Sequence, residues 1–294
     1  MTEVLVLGMA VVDFVLSMER FPTAAAKYRA DSAEIVGGGV AANAAVAIAR
    51  LGGQATLATR VGDDPLADLV LGELAGEGVC IDHVHRAAGG RSSFSSIYID
   101  AAGERQIMNF RGSGLTETTD WIAAAPRAQA VLVDTRWTAG AAAALASARA
   151  WRVPGIVDGE APIDLALLEA ASHVALSRPG LASLEPGEDA ATALARLAAR
   201  IPGWACVTDG ENGVWWTEGA EIRHLPAFRV AVKDTLGAGD VWHGAFALAL
   251  AEGQGEPEAI RFASAAAALK CMTFGGRSGS PDRAAVMTFL KETG

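Results

Sequence analysis

The sequence predicts an α/β fold in three layers, a mostly parallel sheet sandwiched between helices, with a small β lid over it. Three observations predict it. Between Ala130 and Val207 short apolar runs alternate with Ala-rich segments of helical length, the rhythm of βα units. Around Ser93–Arg111 that rhythm breaks into a hairpin. Two glycine-rich stretches far apart in the chain, Gly37–Gly39 and Gly237–Gly239, each open a helix.

Val4–Leu7 reads as a buried, parallel-type strand closed by Gly8. Asp13 follows an otherwise apolar run, which places its carboxylate at that strand's carboxyl end, where open α/β sheets bind ligands. A turn or cap is its plainer role. Phe14–Ile35 is mixed in polarity, carries Pro22, Lys27, Tyr28 and Arg29, and predicts short extended pieces. Gly37-Gly38-Gly39-Val40-Ala41-Ala42-Asn43 then opens a small-residue helix that ends at Leu51-Gly52. It also fits the G-x-G-x-x-A dinucleotide fingerprint, but that fingerprint should follow the first strand directly.

Ala55–Val61 is a second strand, and Asp64-Pro65 starts a helix to about Ala75. His83 and His85 would share a strand face, but a metal there would lack a fourth ligand, so they read as surface histidines. The Ser93–Asp100 and Arg105–Arg111 hairpin turns at Gly103 and joins Phe14–Ile35 in the lid.

Strands Ala130–Val133 and Gly155–Val157 end in Asp134 and Asp158, each followed by a helix, Ala139–Ala150 and Ile163–Ala171. His173–Leu176, the helix Asp189–Arg200 and Ala205–Val207 continue the alternation. Thr208-Asp209-Gly210-Glu211-Asn212-Gly213 leads to two antiparallel strands, Val214–Thr217 and Glu221–Leu225. The helices Val241–Gly253 and Pro257–Phe274 follow, Gly275-Gly276-Arg277 breaks the second, and Asp282–Glu292 closes the chain.

The 294 residues are 51% hydrophobic, ample for a core and too apolar for disorder. A net charge of −10 argues against nucleic acid or acidic membranes as partners. Cys80, Cys206 and Cys271 are scattered and odd in number, which suits a reducing cytosol. No basic run precedes Val4–Val12 and no apolar run is long enough to span a bilayer, so a cytoplasmic protein is expected. P-loop, G-x-S-x-G and H-E-x-x-H patterns are absent.

The most informative stretch is Asp234-Thr235-Leu236-Gly237-Ala238-Gly239-Asp240. The amides of Gly237 to Asp240 lie in a first helical turn without partners inside the helix, so with the helix dipole they form a cradle for an anion such as phosphate. Asp240 in the same turn is expected to stay ionised and to accept a proton. A glycine-rich turn with a capping aspartate is the plainer reading.

This heptad resembles the DTxGAGD motif of the ribokinase (PfkB) family of carbohydrate kinases. The Gly37–Asn43 stretch resembles that family's GGxxxN motif, and the likeness runs from Asp13 to Pro281. The resemblance implies a ribokinase-like three-layer α/β/α sandwich forming one kinase domain over 1–294, with the lid, about 14–35 and 93–111, inserted in it. It implies ATP as phosphoryl donor and Mg²⁺ bridging the β and γ phosphates. Asp240 would be the general base, and Gly237, Ala238 and Gly239 with it the anion-stabilising turn. Asp13, Gly38, Gly39 and Asn43 would line the sugar site. Thr208, Gly210 and Gly213, and the Gly275-Gly276 loop, would lie against the nucleotide. Potassium activation, which in the family involves the first aspartate of the motif, would fall at Asp234. The lid would pair with another subunit's lid in a homodimer.

The chain departs from the family at the N-x-x-E motif, where it has Ser177-Arg178-Pro179-Gly180. Either water and Arg178 replace that motif or the metal is held more weakly. Within the family, Lys27-Tyr28, Asn109, Arg136-Trp137 and Arg261-Phe262-Ala263-Ser264 look most like the members that phosphorylate 6-deoxy-6-sulfofructose. Carried over, Lys27, Asn109 and Arg136 would hold the sulfonate. Solvated charges or a phosphate site are the alternatives. A purine-nucleoside kinase would share the motifs and need an aromatic lid, which Phe94, Tyr98 and Phe110 could supply.

Overall fold

Residues 1–293 are described in a computed structural model. In β1 (Glu3–Leu7) the residues Val4 to Leu7 are fully buried, because the strand lies inside a sheet covered on both faces. Val4 and Val6 enter one core, Leu5 and Leu7 the other, as the two-residue period requires.

The main sheet has the order β13-β12-β11-β10-β9-β8-β1-β4-β5. Its parallel part comprises β1, β4 (Gln54–Gly62), β5 (Val84–Ala87), β8 (Ala130–Asp134), β9 (Gly155–Gly159), β10 (His173–Ser177) and β11 (Trp204–Thr208). The pair β12 (Val214–Glu218) and β13 (Glu221–Leu225) extends it antiparallel.

One layer of helices contains α1 (Val40–Arg50), α2 (Pro65–Gly76), α7 (Ala238–Ala251) and α8 (Glu256–Cys271), with α9 (Arg283–Thr293) outside them. The other contains α3 (Thr138–Trp151), α4 (Leu165–Ala170), α5 (Arg178–Leu184) and α6 (Ala190–Ala198). Every residue of α7 from Val241 to Leu250 is buried, as expected of a helix that is apolar all round. Its Gly244 packs directly on the carbonyl of Ala44, so the backbones of α1 and α7 touch and their N-termini converge.

The lid is a separate sheet, β3-β2-β6-β7, formed by β2 (Val11–Ser17), β3 (Ser32–Gly38), β6 (Phe94–Ile99) and β7 (Arg105–Phe110). Asp13 is therefore not at the end of a main-sheet strand but inside the first lid strand. The apolar run continues through Val11 and Val12, and only Gly8 to Ala10 separate the strands of the two sheets, so the sequence hid the change of sheet. Asp13 pairs with Ser95, and Ser95 with Asn109, which puts the three in one row on one lid face. No helix among the described residues is long and apolar enough to cross a membrane.

Candidate active site

Gly237 caps α7 in the left-handed region, φ 75°, where a side chain would be strained. The following turn closes with Ala238 N donating to Thr235 O at 3.2 Å. The sequence assigned Ala238 an anion-binding amide, but the structure uses it to close the turn. The amides of Gly237, Gly239 and Asp240 remain without partners among the described residues and form the cradle.

Asn43, in the first turn of α1, donates from Nδ2 to Asp240 Oδ2 at 2.6 Å across 197 residues of sequence. The helix N-termini opened by the two glycine stretches thus meet at the carboxylate expected to act as base. Gly39, φ 98°, passes so close to Met9 that a Cβ would lie 2.4 Å from its carbonyl oxygen. A Cβ on Gly38 would lie 2.0 Å from Asp13 Oδ2. Gly38 therefore lies against Asp13, and Asn43 joins Asp240, with Gly39 between Gly38 and the helix that carries Asn43. Asp13 Oδ1 and Asn43 Oδ1 are buried without hydrogen-bond partners, acceptors suited to ligand hydroxyls.

Lost solvation, added to the charge of Asp158, pushes Asp240 up to about 8, against the opposing Asn43 hydrogen bond. This corrects the expectation that Asp240 stays ionised, since burial favours its protonated form. Burial also raises Asp13, which Ser95 and Arg277 partly offset. It raises Asp134 and, most strongly, Asp158, where Glu160 and Asp134 add their charge. His243 is buried beneath the turn, with Nδ1 2.8 Å from Gly239 O and Nε2 3.2 Å from Ala175 O, and burial lowers its pKa.

Asp234 ties the cradle to the loop after α8. Its Oδ1 accepts from Leu236 N at 2.9 Å and from Arg105 at 3.0 Å, its Oδ2 from Gly275 N at 3.0 Å and from Lys270 Nζ at 3.3 Å. Burial works against its charge, but the Leu236 and Gly275 amides and Lys270 outweigh burial and hold Asp234 below its ordinary value. Gly276 lies against Gly237, so the Gly275-Gly276 loop borders the cradle. Thr208, Gly210 and Gly213 sit at the carboxyl end of β11, on the edge where β8, β9 and β10 also end. Gly213, φ 93°, has no room for a Cβ against Leu225 O.

Among the described residues no hydrogen bond or ion pair joins the three residues carried over as an anion site. Lys27 is exposed, and Asn109 donates to Phe94 O and Ser95 Oγ, both at 3.2 Å. Arg136 is paired with Glu160 and donates to Ala161 O. Arg178 donates from Nη2 to Glu188 O at 2.5 Å, while Ser177 caps α5. No group of three or more His, Cys, Asp or Glu among the described residues could hold a metal ion. Magnesium that comes with ATP takes its ligands mainly from phosphate oxygens and water, with at most one or two protein carboxylates.

Sequence reasoning gave no role in the site to Ser95, Arg105, Asp158, Glu160 or Lys270. The only available signal was positional, since Asp158 lies near the end of a buried strand in a parallel series and Glu160 directly follows it.

A helix-capped anion cradle with a carboxylate bonded across it fits a phosphotransferase with an alcohol as acceptor. The comparisons place it further. Residues 1–283 match the model of the pfkB family carbohydrate kinases, and the chain belongs to that family. It is 29% identical to the ribokinase of Bacillus subtilis over 297 residues, 99% of this chain and all of that one. It is 30% identical to a fructokinase of Klebsiella pneumoniae over 229 residues, 70% of this chain and 74% of the other. The structure of Arabidopsis thaliana ribokinase complexed with ribose and ATP superposes with a TM-score of 0.88 at 25% identity, covering 99% and 98% of the two chains.

Proposed function

We propose that the protein transfers the γ-phosphoryl group of Mg·ATP to a primary hydroxyl of a ketohexose-type sugar bound between the lid and the two helix N-termini. The observation that carries this reading is the Asn43–Asp240 hydrogen bond, which holds the one carboxylate of the cradle turn beside the sugar cleft. Asp13 accepts from sugar hydroxyls through its unpartnered Oδ1, and Gly38 leaves the space for it. The acceptor hydroxyl lies next to Asp240, which takes its proton as the oxygen attacks the γ-phosphorus. The amides of Gly237, Gly239 and Asp240 stabilise the charge on the transferring group. Magnesium, bound with ATP, neutralises phosphate charge, and Thr208, Gly210, Gly213, Gly275 and Gly276 border the nucleotide.

The acceptor we assign first is 6-deoxy-6-sulfofructose, phosphorylated on its 1-hydroxyl. Asn109 supports it, standing in one row with Asp13 on the lid. Arg136 must then exchange Glu160 for the sulfonate when the sugar binds. A neutral sugar, ribose or fructose, is the second reading, favoured by that same Arg136–Glu160 pair, which leaves no free guanidinium for an anion. Comparing kcat/KM for sulfofructose, fructose 6-phosphate, fructose and ribose, with wild type and Arg136→Ala, separates the two. Two charge-assisted contacts predict a preference of roughly 10²–10⁴-fold for the sulfonate. A wild-type preference for any of the other three, or an unchanged ranking in Arg136→Ala, overturns the sulfonate and leaves the kinase.

The lid face opposite Asp13 presents Ile35, 60% exposed, and Met108, 73% exposed. These support a homodimer joined lid to lid. A monomeric mass by light scattering at micromolar concentration would rule it out.

A further inference from the structure

We propose that the ammonium of Lys270 is a built-in substitute for a monovalent cation at Asp234, so that this protein locks its anion cradle without potassium. Lys270 stands one residue from the end of α8, and its side chain is 0% exposed. Its Nζ donates to the main-chain oxygen of Asp234 at 3.0 Å and to the carboxylate Oδ2 at 3.3 Å. A main-chain oxygen and a carboxylate oxygen side by side are the hard donors that an alkali cation would take. Here the ammonium already holds both.

The charges point the same way. Asp234 is one carboxylate facing two cations, Lys270 within the fold and Arg105 reaching across from the lid. A potassium ion at this position would meet two positive charges and find its oxygen ligands in use. The expectation of potassium activation at Asp234 therefore does not fit the residues present.

A charged lysine is buried only where partners compensate it, and removing one partner is strongly unfavourable. What this pair supports is the site. Asp234 is linked to Leu236 N, one residue before Gly237, and to Gly275 N, one residue before Gly276. Lys233 N and Asp234 N both donate to Cys271 O, the residue next to Lys270. The ammonium thus joins the end of α8, the turn before α7 and the loop after α8. Lys270 is a positioning residue: fully buried against Asp234, it acts through that residue on the cradle amides.

The test compares KCl with tetramethylammonium chloride at equal ionic strength, reading ATP affinity by calorimetry and the melting temperature. Neither readout depends on which sugar is the acceptor, so failure here is distinct from failure of the sulfofructose reading. Wild type is expected to give the same ATP affinity and melting temperature in both salts. Lys270→Ala opens the space and leaves Asp234 without its buried cation. In tetramethylammonium its ATP affinity should fall about 10–100-fold, the usual loss when a group that orients a charged site is removed. In KCl its ATP affinity should rise at least about threefold over its own value in tetramethylammonium, with a rise in melting temperature as the ion binds the folded state. A merely structural lysine would give no recovery specific to potassium. The proposal is overturned if KCl strengthens wild-type ATP affinity threefold or more over tetramethylammonium (about 0.65 kcal/mol), or if folded Lys270→Ala is indifferent to the salt. If Lys270→Ala folds in neither salt, the wild-type comparison decides alone.

Discussion

Replacing Asp240 with Asn should abolish turnover and stabilise the fold at once. Asn keeps an oxygen that accepts from Asn43, so the 2.6 Å contact between the two helix N-termini has a replacement. It removes the proton acceptor, which costs about 10²–10⁴ in kcat. It also removes an acid whose pKa stands at about 8 in the fold against an ordinary 3.8. The unfolded chain ionises above about pH 4 and the folded chain only near 8, so the folded state binds the extra proton between them and stability falls as pH rises through that window. At neutral pH about three tenfold steps of acidity are involved, a ceiling of about 4 kcal/mol. The side chain is only partly buried, so about 1–2 kcal/mol is the realistic gain. That raises the melting temperature by roughly 2–6 °C. The gain should vanish near pH 4 and level off above about 8. ADP release and thermal melts across pH read both effects. A variant that keeps more than about a tenth of wild-type kcat, or that melts below wild type at neutral pH, refutes the assignment.

Three further outcomes follow from the same geometry. In wild type, kcat/KM should rise with pH along a limb centred near the free-enzyme value of about 8, and a limb near 4 would mean that Asp240 is not the base. Asn43→Ala removes the one hydrogen bond that holds the Asp240 pKa down, so that limb should move to higher pH while kcat/KM at neutral pH falls about tenfold or more; an unmoved limb contradicts the coupling. Gly38→Ala places a methyl 2.0 Å from Asp13 Oδ2, so KM for the sugar should rise about 10-fold or more while ATP affinity is unchanged; equal losses for both ligands would contradict the division of the cleft.

Much of the fold was legible because burial writes itself into parallel strands. Val4–Leu7, Ala130–Val133 and Ala205–Val207 are apolar runs buried in the main sheet, and the helices between them carry the expected period. The cradle was legible because Gly237 and Asp240 act within one turn. Contacts across the chain were not. Asn43 reaches Asp240 over 197 residues and Arg105 reaches Asp234 over 129, and neither separation leaves a local pattern. The protonation of Asp240 was hidden for the same reason, since it depends on lost solvation and on Asp158, a residue of another strand. Lys270 reads in sequence as an ordinary polar residue of a helix, and only the packing of α8 under the Asp234 turn gives it a buried partner.

The central claim is transfer of a phosphoryl group to a sugar's primary hydroxyl at Asp240. It is tested most directly by incubating wild type and Asp240→Asn with Mg·ATP and each candidate sugar, and examining the products by phosphorus–proton correlation NMR. Wild type should form ADP in step with a sugar phosphate whose phosphorus couples to methylene protons, while Asp240→Asn forms neither. ADP without a phosphorylated sugar, phosphorus coupled to a ring methine, or the same product from Asp240→Asn would contradict the account.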